Sequence, residues 1–348
     1  MVDPAAGGGP LRKPPDAAAL SPPRAVICRE LGAPETLSLE AMPRRALQAG
    51  EARVRIAASG VNFFDTLIIA GRYQYRPPLP FTPGVESAGT IIERARDVAG
   101  WHVGDRVITR QRLGGYAEEI VLAAEGLVPL PEGWSFAEGA TFLAAAQTAH
   151  HALAQRGDMQ RGEVLLVLGA GGGMGLAAVE LGALMGATVI AAASSAEKLA
   201  AAERRGARHL VDYSKAPLAE TVRELTGGAG ADVVFDPVGG TATSEALRAI
   251  AWGGRLLVVG FAAGDIPSLP LNRILLRGCS VVGVRAGEAA RRDPAAAQAA
   301  LSALLAYARD GCLKPHVSRV LPLARCAEAM RLLSDRQAIG RVALAMEA

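Results

Sequence analysis

The stretch LLVLGAGGGMGLAAVELGAL, residues 165–184, decides the fold. A tight apolar run enters a glycine cluster and leaves as a helical pattern, the order of strand, turn and helix. Small residues in the turn let the backbone approach a pyrophosphate, and the helix start offers free N–H groups and a favourable dipole. In register with a GxGxxG fingerprint, Ala170, Gly172 and Gly175 fill its three positions, so alanine stands for the first glycine. Gly169, Gly171 and Gly173 add freedom around it. The loop residues expected against the cofactor are Ala170, Gly172, Gly173, Met174 and Gly175. Alone, the motif equally describes strand–turn–helix packing, so its surroundings must decide.

Those surroundings alternate. EVLLVL, TVIAAA, HLVDY, ADVVFD and GRLLVVGF are short apolar strands, separated by helical segments that include SAEKLAAAERRG and one over 215–226. Such alternation is the mark of a parallel sheet covered by helices on both faces. This unit spans residues 150–284. Before it, RAVICRE, EARVRIAA, VESAGTIIERA, GDRVIT and YAEEIVL read as strands, with a short helix NFFDTLIIAG closed by Gly71 and a proline-rich loop RPPLPFTPG. SFAEGATFLAAAQTAHHALAQ (135–155) reads as an apolar helix, opened by a Ser135–Glu138 capping box. After residue 284 come two helices and a final strand, GRVALAME, which are expected to return to the first unit. The division is therefore a β-rich unit over 24–149 and 285–348 with the nucleotide unit inserted. No internal repeat is present.

A length of 348 residues fits two domains, and 50% apolar residues suffice for a sizeable core. The net charge of +3, from 37 basic and 34 acidic residues, gives no reason to invoke nucleic acid or an anionic membrane. No apolar run approaches the roughly 20 residues needed to cross a bilayer. Cys28, Cys279, Cys312 and Cys326 form no CxxC pair and are read as reduced thiols packed like small hydrophobes, which points to a cytoplasmic protein. Residues 1–23, rich in Pro, Gly and Ala, read as a disordered tail and not as a secretory signal.

The end of the second strand of the nucleotide unit selects the dinucleotide. An NAD site usually has Asp or Glu there to bond the ribose 2′-OH. TVIAAA ends instead in Ser194 and Ser195, Lys198 follows one turn into the helix, and Tyr213 closes the third strand. Hydroxyls, a cation and a phenol suit a 2′-phosphate, so NADPH is expected. Ser194 or Ser195 could equally cap the helix, and Lys198 could be a solvated surface residue. Asp236, ending the fourth strand, is either a ribose contact or a turn former.

Together with GVNFFD, PGVESAG, GDRV, DPVGG and GRLLVVGF, these residues resemble the medium-chain dehydrogenase/reductase superfamily over residues 24–346, and most of all its zinc-free NADPH:quinone oxidoreductase (ζ-crystallin-like) branch. The resemblance implies an α/β architecture: a GroES-like β-rich catalytic domain plus a Rossmann doubly wound parallel sheet. Zinc-dependent members carry a Cys where Asn62 stands, a His where Val85 stands, and a cysteine-rich lobe after GDRV that this chain lacks. A catalytic zinc needs about three N, O or S ligands, so no metal is expected.

Without a metal, developing negative charge must be spread over the substrate or held by protein donors. Quinones and α,β-unsaturated carbonyls meet that need, and the expected activity is NADPH-dependent hydride transfer to one of them. An enoyl-thioester or other alkene reductase, and an NADPH-binding protein without turnover, are the alternatives. The resemblance places Asn62 and Asp65 near the nicotinamide ribose and substrate pocket, and makes Tyr73 a pocket tyrosine able to donate to the substrate oxygen. Asn62 is equally a helix N-cap, Asp65 a first-turn acid, and Tyr73 a packing aromatic that Tyr75 could replace. The resemblance also sets Thr148 and the stretch Gly260, Phe261, Ala262 and Ala263 against the nicotinamide; Thr148 could instead bond its own helix. His150 stands where relatives have tyrosine and is read as a surface or packing residue. Arg285 replaces a frequent aromatic and either contacts cofactor or an anionic substrate, or is merely exposed. Glu86 is read as a satisfied structural acid. An exposed edge near SVVGV permits strand pairing with a second copy, and the resemblance implies a homodimer.

Overall fold

A computed structural model describes residues 21–346. The tail expected over residues 1–23 lies outside the described residues, but for its last few. In chain order the elements are β1 (Arg24–Ile27), β2 (Ser38–Ala41), β3 (Glu51–Val61), α1 (Phe63–Ile69), β4 (Glu86–Arg94), β5 (Arg106–Arg110), β6 (Glu119–Ala123), β7 (Leu127–Pro129), α2 (Phe136–Gly139) and α3 (Leu143–His150). They continue as β8 (Val164–Leu168), α4 (Gly173–Leu184), β9 (Thr188–Ala193), α5 (Ala196–Glu203), β10 (His209–Asp212), α6 (Leu218–Leu225), β11 (Ala231–Asp236), α7 (Gly240–Ala249), β12 (Ile250–Val258), α8 (Leu271–Arg277) and β13 (Ser280–Gly283). Last come α9 (Ala286–Arg292), α10 (Pro294–Arg309), β14 (Val317–Pro322), α11 (Cys326–Ser334) and β15 (Arg341–Ala345).

Strands β8 to β13 form one parallel sheet in the order β10-β9-β8-β11-β12-β13. That order reverses between β8 and β11, the crevice where doubly wound folds bind ligands. Leu165, Leu166, Val167 and Leu168 of β8 are all buried, because helices cover both faces of the sheet. The second sheet, β14-β15-β3-β4-β5-β7 with β6 also paired to β3, is antiparallel except for β14 against β15. The final strand thus returns to the first unit, between β14 and β3.

Three local expectations need correction. The helix expected over 135–155 is broken into α2 and α3, and its end becomes a π-helical turn, His151–Arg156. The Ser135–Glu138 capping box is present at α2, but the helix stops where the Ala140 carbonyl packs onto Gly60, too closely for any Cβ there. It restarts at Leu143 because the buried Glu86 carboxylate, from another strand, accepts the Ala144 N–H at 2.9 Å. The segment beyond 284 contains α9 and the strand β14, besides the two helices and final strand expected. Finally, Cys312 is exposed, whereas Cys28, Cys279 and Cys326 are buried as expected; all four thiols are free.

Candidate active site

The β3–β15 register sets the centre of the site. Val61 pairs with Val342, so antiparallel pairing brings Asn62 opposite Arg341. Arg341 Nη2 donates to Asn62 Oδ1 at 2.9 Å and also to Glu86 Oε1. Asn62 Nδ2 donates to the same Glu86 oxygen at 3.2 Å. The three side chains are buried, with Asn62 and Glu86 each 2% exposed. Burial pushes the Glu86 carboxyl above its ordinary range, against the pull of Arg341, the helix amides and Asn62. Glu86 is therefore a satisfied structural acid: it pairs a cation, receives an amide side chain and caps α3.

Asp65 lies next to this cluster. Its Oδ2 accepts the Asn62 N–H at 2.9 Å and the Tyr116 hydroxyl at 2.8 Å, while Oδ1 is buried without a partner. Complete burial raises its carboxyl to about 7, with the Glu86 charge adding and the two hydrogen bonds and Arg341 opposing. Tyr116, buried against Asp65, has its phenol pushed well above the ordinary value, chiefly by burial. Tyr73 stacks on Phe64 with ring centroids 5.7 Å apart. Burial raises its phenol too, while Arg285 and Arg291 of the facing segment draw it down. Its neighbour Tyr75 instead lies under the Arg112 guanidinium, 3.9 Å from the ring centre.

The glycine loop meets this cluster from the other sheet. A Cβ on Gly171 would collide with the Lys198 stem, one on Gly173 with Arg341, and one on Gly175 with the Gly169 carbonyl. Those three glycines therefore serve packing inside the protein. Gly172 alone of the loop is open, its imagined Cβ meeting only the Gly169 carbonyl at 3.5 Å. It is also the residue in register with the fingerprint position where backbone approaches a pyrophosphate. Gly173, Met174 and Gly175 form the first turn of α4, where N–H groups lack intrahelical acceptors. Ala170 is buried, its N–H bonded to the Ala192 carbonyl at 3.0 Å.

The remaining expected contacts sit at the carboxyl ends of the parallel strands. Ser194 is exposed after β9; Ser195 caps α5, its Oγ accepting the Lys198 N–H at 3.4 Å. Lys198 Nζ donates to the Arg336 carbonyl at 2.7 Å. Tyr213 is exposed at the end of β10. Asp236 is committed to its turn: Oδ1 accepts the Val238 and Gly239 N–H groups at 2.8 and 3.0 Å, and Oδ2 the Thr243 hydroxyl. Gly260, Phe261, Ala262 and Ala263 follow β12, with Ala262 N–H on the Pro237 carbonyl at 3.1 Å and Ala263 N–H on the Val238 carbonyl at 2.7 Å. Thr148 bonds its own helix, Oγ1 to the Ala144 carbonyl at 2.8 Å. His150 is half-buried with Nδ1 unpartnered. Arg285, exposed, precedes α9 after β13.

Sequence reasoning missed Arg336 and Arg341. The segment between them crosses the mouth of the crevice: Arg336 Nη2 donates to the Ala263 carbonyl at 3.1 Å, and the Gly340 N–H to the Gly171 carbonyl at 2.8 Å. Gly340 in GRVALAME was the only local hint, since a glycine ahead of a buried strand marks close backbone approach.

A nucleotide fits these residues: an open glycine at a helix start, flanked by cations. Of the two buried carboxylates beside Asn62, Glu86 is held by the Arg341 guanidinium, and Asp65 accepts the Asn62 N–H and the Tyr116 hydroxyl. Among the described residues no group of three His, Cys, Asp or Glu is gathered that could hold a metal. No described helix is long and apolar enough to cross a membrane.

Residues 48–132 match the family described as alcohol dehydrogenase GroES-like domain, and residues 173–304 the one described as zinc-binding dehydrogenase. The chain belongs to the medium-chain dehydrogenase/reductase superfamily, with the NAD(P)-binding fold of an oxidoreductase. It is 39% identical to quinone oxidoreductase-like protein 2 of Bos taurus over 93% of both chains. Among solved structures, the quinone oxidoreductase of Pseudomonas syringae superposes with a TM-score of 0.85 at 30% identity, covering 93% of this chain and 99% of that one. The quinone oxidoreductase of Escherichia coli, solved in complex with NADPH, gives 0.83 at 26% identity, covering 92% and 99%.

Proposed function

We propose that the chain is a zinc-independent, NADPH-dependent reductase of quinones or α,β-unsaturated carbonyls. The observation that carries the cofactor preference is the pair of cations at the carboxyl end of β9. Lys198 bonds the Arg336 main chain at 2.7 Å, and the Arg336 charge, after burial, depresses the Lys198 ammonium. Two cations behind Ser194 favour the doubly charged 2′-phosphate over a free hydroxyl. Gly172 and the first turn of α4 would receive the pyrophosphate. The bound dinucleotide would supply a hydride, and the product anion needs one proton.

Tyr73 is the proposed source of that proton, from its hydroxyl to the substrate oxygen. Its raised phenol keeps the proton at neutral pH, and Arg285 and Arg291 favour negative charge nearby. Asn62 and Asp65 are positioning residues, linked by a 2.9 Å hydrogen bond at the start of α1 and joined to Arg341 from behind. The same two arginines favour a second reading, an alkene reductase acting on an anionic acyl-thioester.

The test is oxidation of NADPH and NADH with a panel of quinones, short enones and acyl-thioesters. Preference for NADPH of at least about tenfold, or about 1.4 kcal/mol, supports the cofactor assignment. Preference for NADH overturns it; tight NADPH binding with no oxidation by any acceptor favours a binding protein. We further propose a homodimer through the free edge of β13. In the segments around it Trp252, Leu271 and Leu275 are 78, 78 and 77% exposed, and a strand edge with large apolar side chains nearby invites pairing. A monomer in sedimentation would overturn this. Free thiols suit a reducing, cytoplasmic setting.

A further inference from the structure

Between α6, α7 and α8 lies a concave feature separate from the glycine loop, a groove of about 500 Å³. Its lining includes Arg223, Arg248, Arg273 and Arg277, with Glu220 the one acid and Ala219, Leu247 and Leu276 as its apolar part. Arg248 is engaged by Glu245 at 2.9 Å. Among the described residues, Arg223, Arg273 and Arg277 have no carboxylate within ion-pair distance. Arg223 Nε is turned to the Arg248 carbonyl at 3.1 Å, and its Nη2 is shut off from solvent with no acceptor at all. A desolvated guanidinium nitrogen without a partner is a standing cost to the fold.

We propose that this groove is a second binding site, for a small molecule bearing at least two phosphate-type charges. Three arginines without a carboxylate partner line it, and a guanidinium fork matches two oxygens of a phosphate in plane, which a carboxylate of single charge would not saturate. The volume falls in the usual range for small-ligand sites, and the leucines offer an apolar wall to the rest of the ligand. The site is independent of the proposed dimer edge. Arg273 and Arg277, four apart, share one face of α8; Leu271 and Leu275, also four apart, share the other. Nothing in the groove belongs to the reductase machinery.

Inorganic pyrophosphate is the probe, titrated calorimetrically into the full chain. Besides any binding at the glycine loop, the parent binds it at one site outside the cofactor crevice. Arg273→Gln/Arg277→Gln weakens binding at least tenfold, and Arg223→Gln does the same from the opposite wall. Gly172→Asp, which sets a negative charge at the glycine loop, leaves this binding unchanged. Equal affinity in the parent and the double variant, loss of all binding in Gly172→Asp, or no binding by the parent would each overturn the proposal. Arg277→Gln alone, on an exposed helix face, gives the same readout should the double variant fold poorly. Because these readouts are binding heats, they stand whether or not the chain reduces quinones.

Discussion

Arg341 and Asn62, 279 residues apart in sequence, are joined at 2.9 Å by a hydrogen bond inside the protein. Through the shared Glu86 carboxylate the same contact sets the start of α3 and backs the start of α1. A single guanidinium from the last strand therefore ties together the elements that line the crevice.

Removing that guanidinium strands a buried carboxylate. Arg341→Met is expected to cost about 3–5 kcal/mol of stability, read from urea denaturation, because Glu86 would lose its charge partner. Adding Glu86→Gln to the same chain should recover part of the loss. A single variant as stable as the parent would mean that the pair is not what holds this junction.

The cofactor preference should divide between two cations. Lys198→Ala and Arg336→Ala are each expected to lower the NADPH-over-NADH ratio of kcat/KM about tenfold, with little change for NADH. An unchanged ratio in both variants would move 2′-phosphate recognition to another part of the crevice.

Tyr73→Phe keeps the stack on Phe64 and deletes only the hydroxyl. Turnover is expected to fall about 10²-fold while NADPH binding, followed by fluorescence, stays the same. An undiminished rate would assign the proton to water or to another residue.

Asp65 gives the fold a pH dependence of definite sign. Its carboxyl sits near 7 in the folded chain against an ordinary value of 3.8. Between those values the folded state holds a proton that the unfolded state has released, so stability falls as pH rises through the interval. Each unit of displacement corresponds to about 1.4 kcal/mol. Asp65→Asn should flatten this slope, and its stability relative to the parent should therefore improve as pH rises from about 4 to about 7. Parallel curves for the two proteins would show that Asp65 is ionised throughout.

A chelator should leave the rate unchanged, since among the described residues no three His, Cys, Asp or Glu side chains gather to hold a metal. Loss of activity restored by a divalent ion would contradict the proposed metal-free reaction.

The parallel sheet and its glycine loop were legible because their signals are local: apolar runs, spacing, and a turn that only small residues can make. The resemblance found in GVNFFD and PGVESAG likewise led to Asn62 and Glu86. What escaped was non-local. No feature near residue 341 announces that β15 will pair with β3 in the register that puts Arg341 opposite Asn62. Arg336 reaches Lys198 only because the chain crosses the crevice before β15. The split of the helix over 135–155 has the same origin, since Gly60 and Glu86, far upstream, decide where it stops and restarts. Conversely, the local alternatives weighed for Ser195, Thr148 and Asp236 all describe bonds that their side chains make.

β15 also has a consequence for how the molecule is made. It is an interior strand of its sheet, yet it leaves the ribosome after every other described element. The layer begun at β3 must wait for the whole inserted unit to be synthesised, and its open flank between β14 and β3 stays unsealed until then. Order of manufacture and order of completion are thus reversed, with the inserted sheet finished before the layer that surrounds it in sequence.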